Sequence, residues 1–268
     1  MRGSRARFVA VSANLAAAMY ASAASAQWAA DCNAYPSEVD KVSAMRVTGS
    51  EPTHFFEMWV DGCERSAEHC QKRSYVLPGD HVLAADAGAG FFCAWYLDRK
   101  GHESWGLLNA NRLARAPADV PSPGDLSAWS GHWRLADLAT AHAARNDGIS
   151  STGDIAIVAD RRGLRAAGDT TFPYRNGAGD LAAQNYEFGP VNQNWDSLTA
   201  PSVAQQGVAV VLKNGLATIT DEDCRIQMRR IGDLLVVVEI SQCGGRYVNF
   251  SGFYSRVGPV PKPSASKP

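Results

Sequence analysis

The placement of six cysteines constrains this chain more than any other feature. Cys32, Cys63, Cys70 and Cys93 lie toward the N-terminus, and Cys224 and Cys243 lie beyond residues 94–223, which hold none. An even count suits three disulfides, and bridges closed within each group imply two separately stapled halves. The C-terminal pair also follows from strand geometry. Cys224 to Arg230 and Leu234 to Ile240 flank a turn-like Ile231-Gly232-Asp233. A hairpin folded there sets residue 224 opposite about residue 241, which brings Cys243 within disulfide reach. The N-terminal four allow three connectivities. Cys63–Cys70 as a local clamp and Cys32–Cys93 as a long staple are the preferred pairs.

Such bridges need an oxidising compartment, and the N-terminus reads as the matching address. Arg2, Arg5 and Arg7 precede an Ala-rich apolar run from Phe8 to Ala24, and Ala24-Ser25-Ala26 is a small-residue cleavage site. We therefore expect a signal peptide over 1–26 and a periplasmic or secreted protein. Losing those three arginines takes the formal charge from −1 to −4. That balance disfavours nucleic acid and favours, weakly, a basic partner. Past the leader no apolar stretch has the length of a membrane-spanning helix, so no integral span is expected.

The rest of the chain reads as short strands between turns. Between Ser74 and Arg115 the runs are Tyr75–Leu77, His81–Ala84, Phe91–Leu97 and Ser104–Leu108, with Pro78-Gly79-Asp80 and Asp98 to Gly101 as turns. Residues 115–127 contain three prolines and form a stiff linker. Beyond it come Asp154–Ala159, Leu164–Ala167, Gly207–Leu212, Leu216–Thr220, Cys224–Arg230, Leu234–Ile240 and Tyr247–Arg256. With a strand at Trp129–Trp133 these make about eight, which close best as an antiparallel barrel without free edges. Alternation through 248–254 puts Phe250 and Tyr254 on one face and Ser251 and Phe253 on the other. The expected layout is all-β: a small barrel with an N-terminal elaboration over 27–114, a linker over 115–127, a second barrel over 128–257 and a disordered tail over 258–268.

Three resemblances sharpen this. The order GDHVLA, GFFCAWYL, SWGLLNANRL at 79–113 resembles a bacterial SH3-like domain, here with Trp105 before Gly106. That resemblance implies a small barrel, with 32–73 as an elaboration, and a setting of cell-wall or peptide contact. Gly131-His132-Trp133 and Arg256 resemble the first-strand G-x-W and last-strand Arg of calycin barrels. There the resemblance implies that the Arg stacks on the Trp and closes one barrel end. Residues 224–256 resemble the C-terminal β-domain of exported proteobacterial proteins linked to periplasmic lysozyme inhibitors.

No catalytic constellation is legible. The chain has no G-x-S-x-G elbow, H-E-x-x-H helix or P-loop, and its cysteines are assigned to pairing. Neither C-x-x-C nor H-x-x-x-H spacing occurs, so no metal or cofactor is expected. His132, His142 and Asp137, and the acidic run Asp221-Glu222-Asp223, read as surface groups. A long loop from Tyr174 to Gly207 carries Tyr186, Phe188, Trp195 and Asp196, and loops beyond about 15 residues are often functional. These four are the candidate binding residues, as aromatic anchors beside a charge. The expected function is binding or inhibition of a cell-wall hydrolase, a lysozyme or a toxin, by protein contact rather than catalysis. The alternative is a small-ligand carrier using the barrel interior, which requires an open apolar cavity.

Overall fold

The computed structural model describes residues 32, 36–57, 70–98, 103–117, 125–136, 152–175, 181–189, 199–241, 243 and 250–260. The expected signal peptide, Cys63, Asp137, His142, Trp195, Asp196 and the tail beyond 260 lie outside these residues.

Two antiparallel sheets carry the chain. The first holds β1 (Ser43–Val47), β2 (Thr53–Phe56), β3 (Gln71–Val76), β4 (His81–Gly88), β5 (Phe91–Leu97), β6 (Glu103–Asn109) and β7 (Leu113–Arg115), in the order β3-β2-β6-β5-β4-β1-β7. The second holds β8 (Gly131–Leu135), β9 (Thr152–Asp160), β10 (Gly163–Arg175), β11 (Leu181–Phe188), β12 (Val208–Lys213), β13 (Leu216–Asp221), β14 (Cys224–Ile231), β15 (Leu234–Glu239) and β16 (Gly252–Gly258). Pairing of β9 with both β8 and β10 closes eight of these into a barrel. β11 lies outside that ring, paired to the distal part of β10. The fold is all-β, as expected, with one short α-helix among the described residues, α1 (Ala200–Gln206).

Local chemistry sets the hairpins. Asn214 and Gly215 both adopt positive φ, 52° and 76°. Two such residues between β12 and β13 make the tight turn whose twist matches the flanking strands. At Pro78-Gly79 the Asp80 carboxylate accepts from the Leu77 amide at 2.7 Å, which fixes the entry into β4. The β14–β15 register runs from Ile231 opposite Leu234 to Ile226 opposite Glu239. Continued, it sets residue 241 across from Cys224, as the sequence implied. Cys224 and Cys243 are bridged, with Cα atoms 4.3 Å apart. Cys32–Cys93 is bridged as well, at a Cα separation of 5.2 Å. Cys70 also sits in a disulfide.

Antiparallel strands with one wet face alternate in polarity. β4 and β15 do not: both carry four consecutive buried residues. In β15, Leu235 and Val237 point into the barrel, while Val236 and Val238 point outward and are equally buried. In β4, Leu83 and Ala85 face the barrel, and Val82 and Ala84 face the opposite side of their own sheet. The two sheets therefore share a core. Phe253 marks it: the 248–254 alternation puts it on the outer barrel face, and it is 1% exposed there, against Trp95. Arg229 strengthens the join, donating to the backbone carbonyls of Asp40 and Val42 at 3.0 and 2.9 Å.

Four expectations need correction. The described part of the expected 32–73 elaboration belongs to the first sheet itself, because β1 is hydrogen-bonded between β4 and β7 and β2 between β3 and β6. The segment 174–207 is not a continuous loop, because it contains β11 and α1, the latter opened by a Thr199–Ser202 capping box. The ends of the 115–127 linker are ordered: Arg115 belongs to β7, and Asp125 caps a 3-10 turn at Leu126–Ala128. Val260, placed in the tail, is 8% exposed and packs with Ala156, Ala167 and Val203.

Candidate functional site

The junction of the sheets opens into a cleft of about 420 Å³. That size lies within the range of small-molecule and side-chain pockets, about 300–1,000 Å³. Buried Trp95, Leu83, Ile231 and Phe253 form its inner surface. Leu97 at the end of β5 and Leu234 at the start of β15 are half-buried and reach its mouth. His81 and Asp233 are exposed at the rim, and Pro117 lies beside them. An apolar floor with a few rim polar groups suits insertion of an apolar side chain from a partner.

The described side chains of the barrel interior are buried together in one cluster. Trp133, Ile155, Ile219, Ile226, Met228, Phe250 and Tyr254 belong to it, each with no measurable exposure. A carrier would need to displace them. Trp133 and Arg256 meet as the calycin resemblance implies. They are direct partners in the β8–β16 ladder, with the guanidinium carbon 5.7 Å from the indole centroid. Arg256 also donates to the carbonyl of Ser130. Gly131 makes room for it, since a Cβ there would lie 2.6 Å from Arg256 Nε.

The loop aromatics stand elsewhere than expected. Phe188 is 1% exposed and packs on Phe250 at 5.2 Å between centroids. It is a core residue and not a free anchor, because Gly168 leaves a gap that its ring edge fills. Tyr186 is half-buried and meets Phe250 edge-on at 6.0 Å. Burial, and then the carboxylates of the 221–223 turn and Glu239, push the Tyr186 hydroxyl pKa above its usual value. Glu239 ties the loop of the second disulfide to the barrel, accepting from the amides of Cys243 and Phe250 at 2.7 and 3.0 Å. Its pKa is raised by burial, with those two bonds opposing.

Sequence reading missed a row of charges across four strands. Arg134, Asp154, Asp169 and Glu187 are successive cross-strand partners on β8, β9, β10 and β11. Arg134 Nε donates to Asp154 Oδ1 at 3.0 Å, and His132 Nε2 lies 2.5 Å from the same oxygen. Asp169 Oδ1 meets no hydrogen-bond partner among the described residues, while the residue's own amide and His132 act on the carboxylate in the opposite sense to burial. Burial, with the neighbouring Asp154 and Glu187, raises its pKa to about 6. A usable signal was present: the turn after Asp160 pairs it with Gly163, and that register runs on to Asp154 opposite Asp169. Among the described residues no group of three His, Cys, Asp or Glu side chains is arranged to hold a metal ion. No helix among them is long and apolar enough to cross a membrane.

No protein-family model, curated protein or solved structure matches the chain.

Proposed function

We propose that the chain is an exported binding protein that acts on a cell-wall hydrolase, a lysozyme or a hydrolytic toxin, by protein–protein contact, and that the cleft between the sheets receives the partner. The observation that carries this reading is the cleft itself. Its floor is built from both sheets, and two half-buried leucines line its mouth beside the exposed Asp233. Interfaces draw most of their energy from such pockets, where a partner side chain is fully desolvated. Asp233 at the rim suits a basic partner, and the acidic balance left after loss of the leader points the same way. The two described disulfides support an oxidising compartment. The packed barrel interior weighs against a carrier and for a surface contact. The test is lysis of cell walls by a lysozyme in the presence of the purified protein. Inhibition at micromolar concentration is expected, and it should be lost in Leu234→Glu and Leu97→Glu while their unfolding midpoints hold. Absence of both inhibition and complex at that concentration would refute the lysozyme target.

A further inference from the structure

β11 differs from the other strands of its sheet. Among the described residues it pairs with β10 alone, so a single hydrogen-bonded edge joins it to the sheet there. The docking contacts are of two opposing kinds. Tyr186 and Phe188 hold the strand by packing on Phe250. Glu187 opposes them, because its direct partner on β10 is Asp169 and the next residue in the row is Asp154. Like charges directly opposite in a ladder destabilise it.

The charges around Asp169 are unevenly distributed. His132 and Arg134 on β8 both engage Asp154. On β11 the facing group is Glu187, which is exposed. Arg165, on Asp169's own strand, is turned to the carbonyl of Gly207 at 3.0 Å. Helix α1, which packs over β9 and β10, has no ionisable side chain in its sequence APSVAQQ. The Oδ1 of Asp169 is buried and meets no hydrogen-bond partner among the described residues. A buried carboxylate oxygen without a donor favours the protonated acid. Once protonated, Asp169 stops repelling Glu187 and gains a hydrogen to donate to a flanking carboxylate.

We propose that β11 is a pH-sensitive edge strand, docked more firmly on the barrel in mildly acid solution than at neutral pH, with Asp169 as the group that titrates. The like-charge pairing and the orphaned oxygen carry this, and the raised pKa of about 6 places the change in a range an exported protein meets. Loosening β11 also loosens Tyr186 and Phe188 from the barrel end, so the device exposes aromatic surface as pH rises.

Hydrogen exchange followed by mass spectrometry tests this on the full chain. Protection factors of the 181–188 amides should rise about tenfold between pH 7.5 and pH 5, the change that one pKa unit of coupling gives. Amides of β13 and β14 serve as the internal reference and should hold steady. In Asp169→Asn the protection of β11 should be high and flat across that range. Glu187→Gln removes an exposed like charge with little risk to folding, and should move the midpoint to lower pH. Protection that is independent of pH in the parent chain, or a pH dependence that survives Asp169→Asn, or an unmoved midpoint in Glu187→Gln, would overturn the proposal.

Discussion

Replacing Phe253 with alanine tests the shared core. Phe253 lies on the outer face of the barrel, yet it is 1% exposed, and its ring sits 5.5 Å from that of Trp95 on the other sheet. Removing a packed phenylalanine costs about 3–5 kcal/mol, as lost transfer energy plus the cavity left behind. Part of that, about 0.5–1.5 kcal/mol, is the aromatic pair itself. We expect about 4 kcal/mol here, because Val236, Val238 and Leu83 surround the site and a rigid two-sheet junction collapses poorly. The assay is urea unfolding followed in parallel by tryptophan fluorescence and far-ultraviolet circular dichroism. Both signals should shift to lower urea together, since the sheets lose a common core. Val257→Ala, on the same strand but 51% exposed, is the control and should stay within about 0.5 kcal/mol of the parent. A loss below about 1 kcal/mol for Phe253→Ala would refute the reasoning, since an open outer face predicts roughly that.

Three further variants probe the barrel. Gly131→Ala places a Cβ 2.6 Å from Arg256 Nε and 3.2 Å from the carbonyl of Gly258. Thermal unfolding should show a loss of about 1–3 kcal/mol, the usual cost of overpacking. Asp169→Asn should make the protein more stable at neutral pH. The folded pKa of about 6 lies above the ordinary 3.8, so the folded chain binds a proton that the unfolded chain lacks between those values. The parent therefore loses stability as pH rises from about 4 to 6, and Asp169→Asn should not. The difference above pH 6 should reach about 1–2 kcal/mol, less than the full shift implies because solvent reaches part of the group. The double change Cys224→Ser with Cys243→Ser opens a bridge spanning 19 residues and should cost about 3 kcal/mol by denaturant titration.

Much of this fold is legible in the chain because hairpin registers propagate from their turns. Recognising Gly232 as a turn centre was enough to set residue 241 opposite Cys224 and to bring Cys243 into reach. Trp133 and Arg256 were findable through the calycin resemblance of Gly131-His132-Trp133 and Arg256, and they pair directly in the β8–β16 ladder. What alternation hid is the second buried face. Phe253 falls on the solvent side by period, and only the neighbouring sheet buries it, a contact no local pattern encodes. The same holds for β1, whose Ser-Ala-Met-Arg-Val carries little strand signal and is fixed by β4 and β7 on its two edges. β11 was read as part of a long loop although Asn185-Tyr186-Glu187-Phe188 alternates in polarity, and Phe188 is buried by its contact with Phe250, which no local pattern encodes. The cleft was out of reach of the sequence, since Leu97 and Leu234 come from opposite halves and meet only after docking.

The direct test of a partner site at the sheet junction is a hydrogen-exchange footprint of the full chain with and without a bound lysozyme. The account predicts new protection at the end of β5 near Leu97 and across the β14–β15 turn, residues 231–234. Its loss in Leu234→Glu would tie the footprint to the cleft. A bound lysozyme that leaves both segments unprotected, or that protects only surfaces away from them, would contradict it.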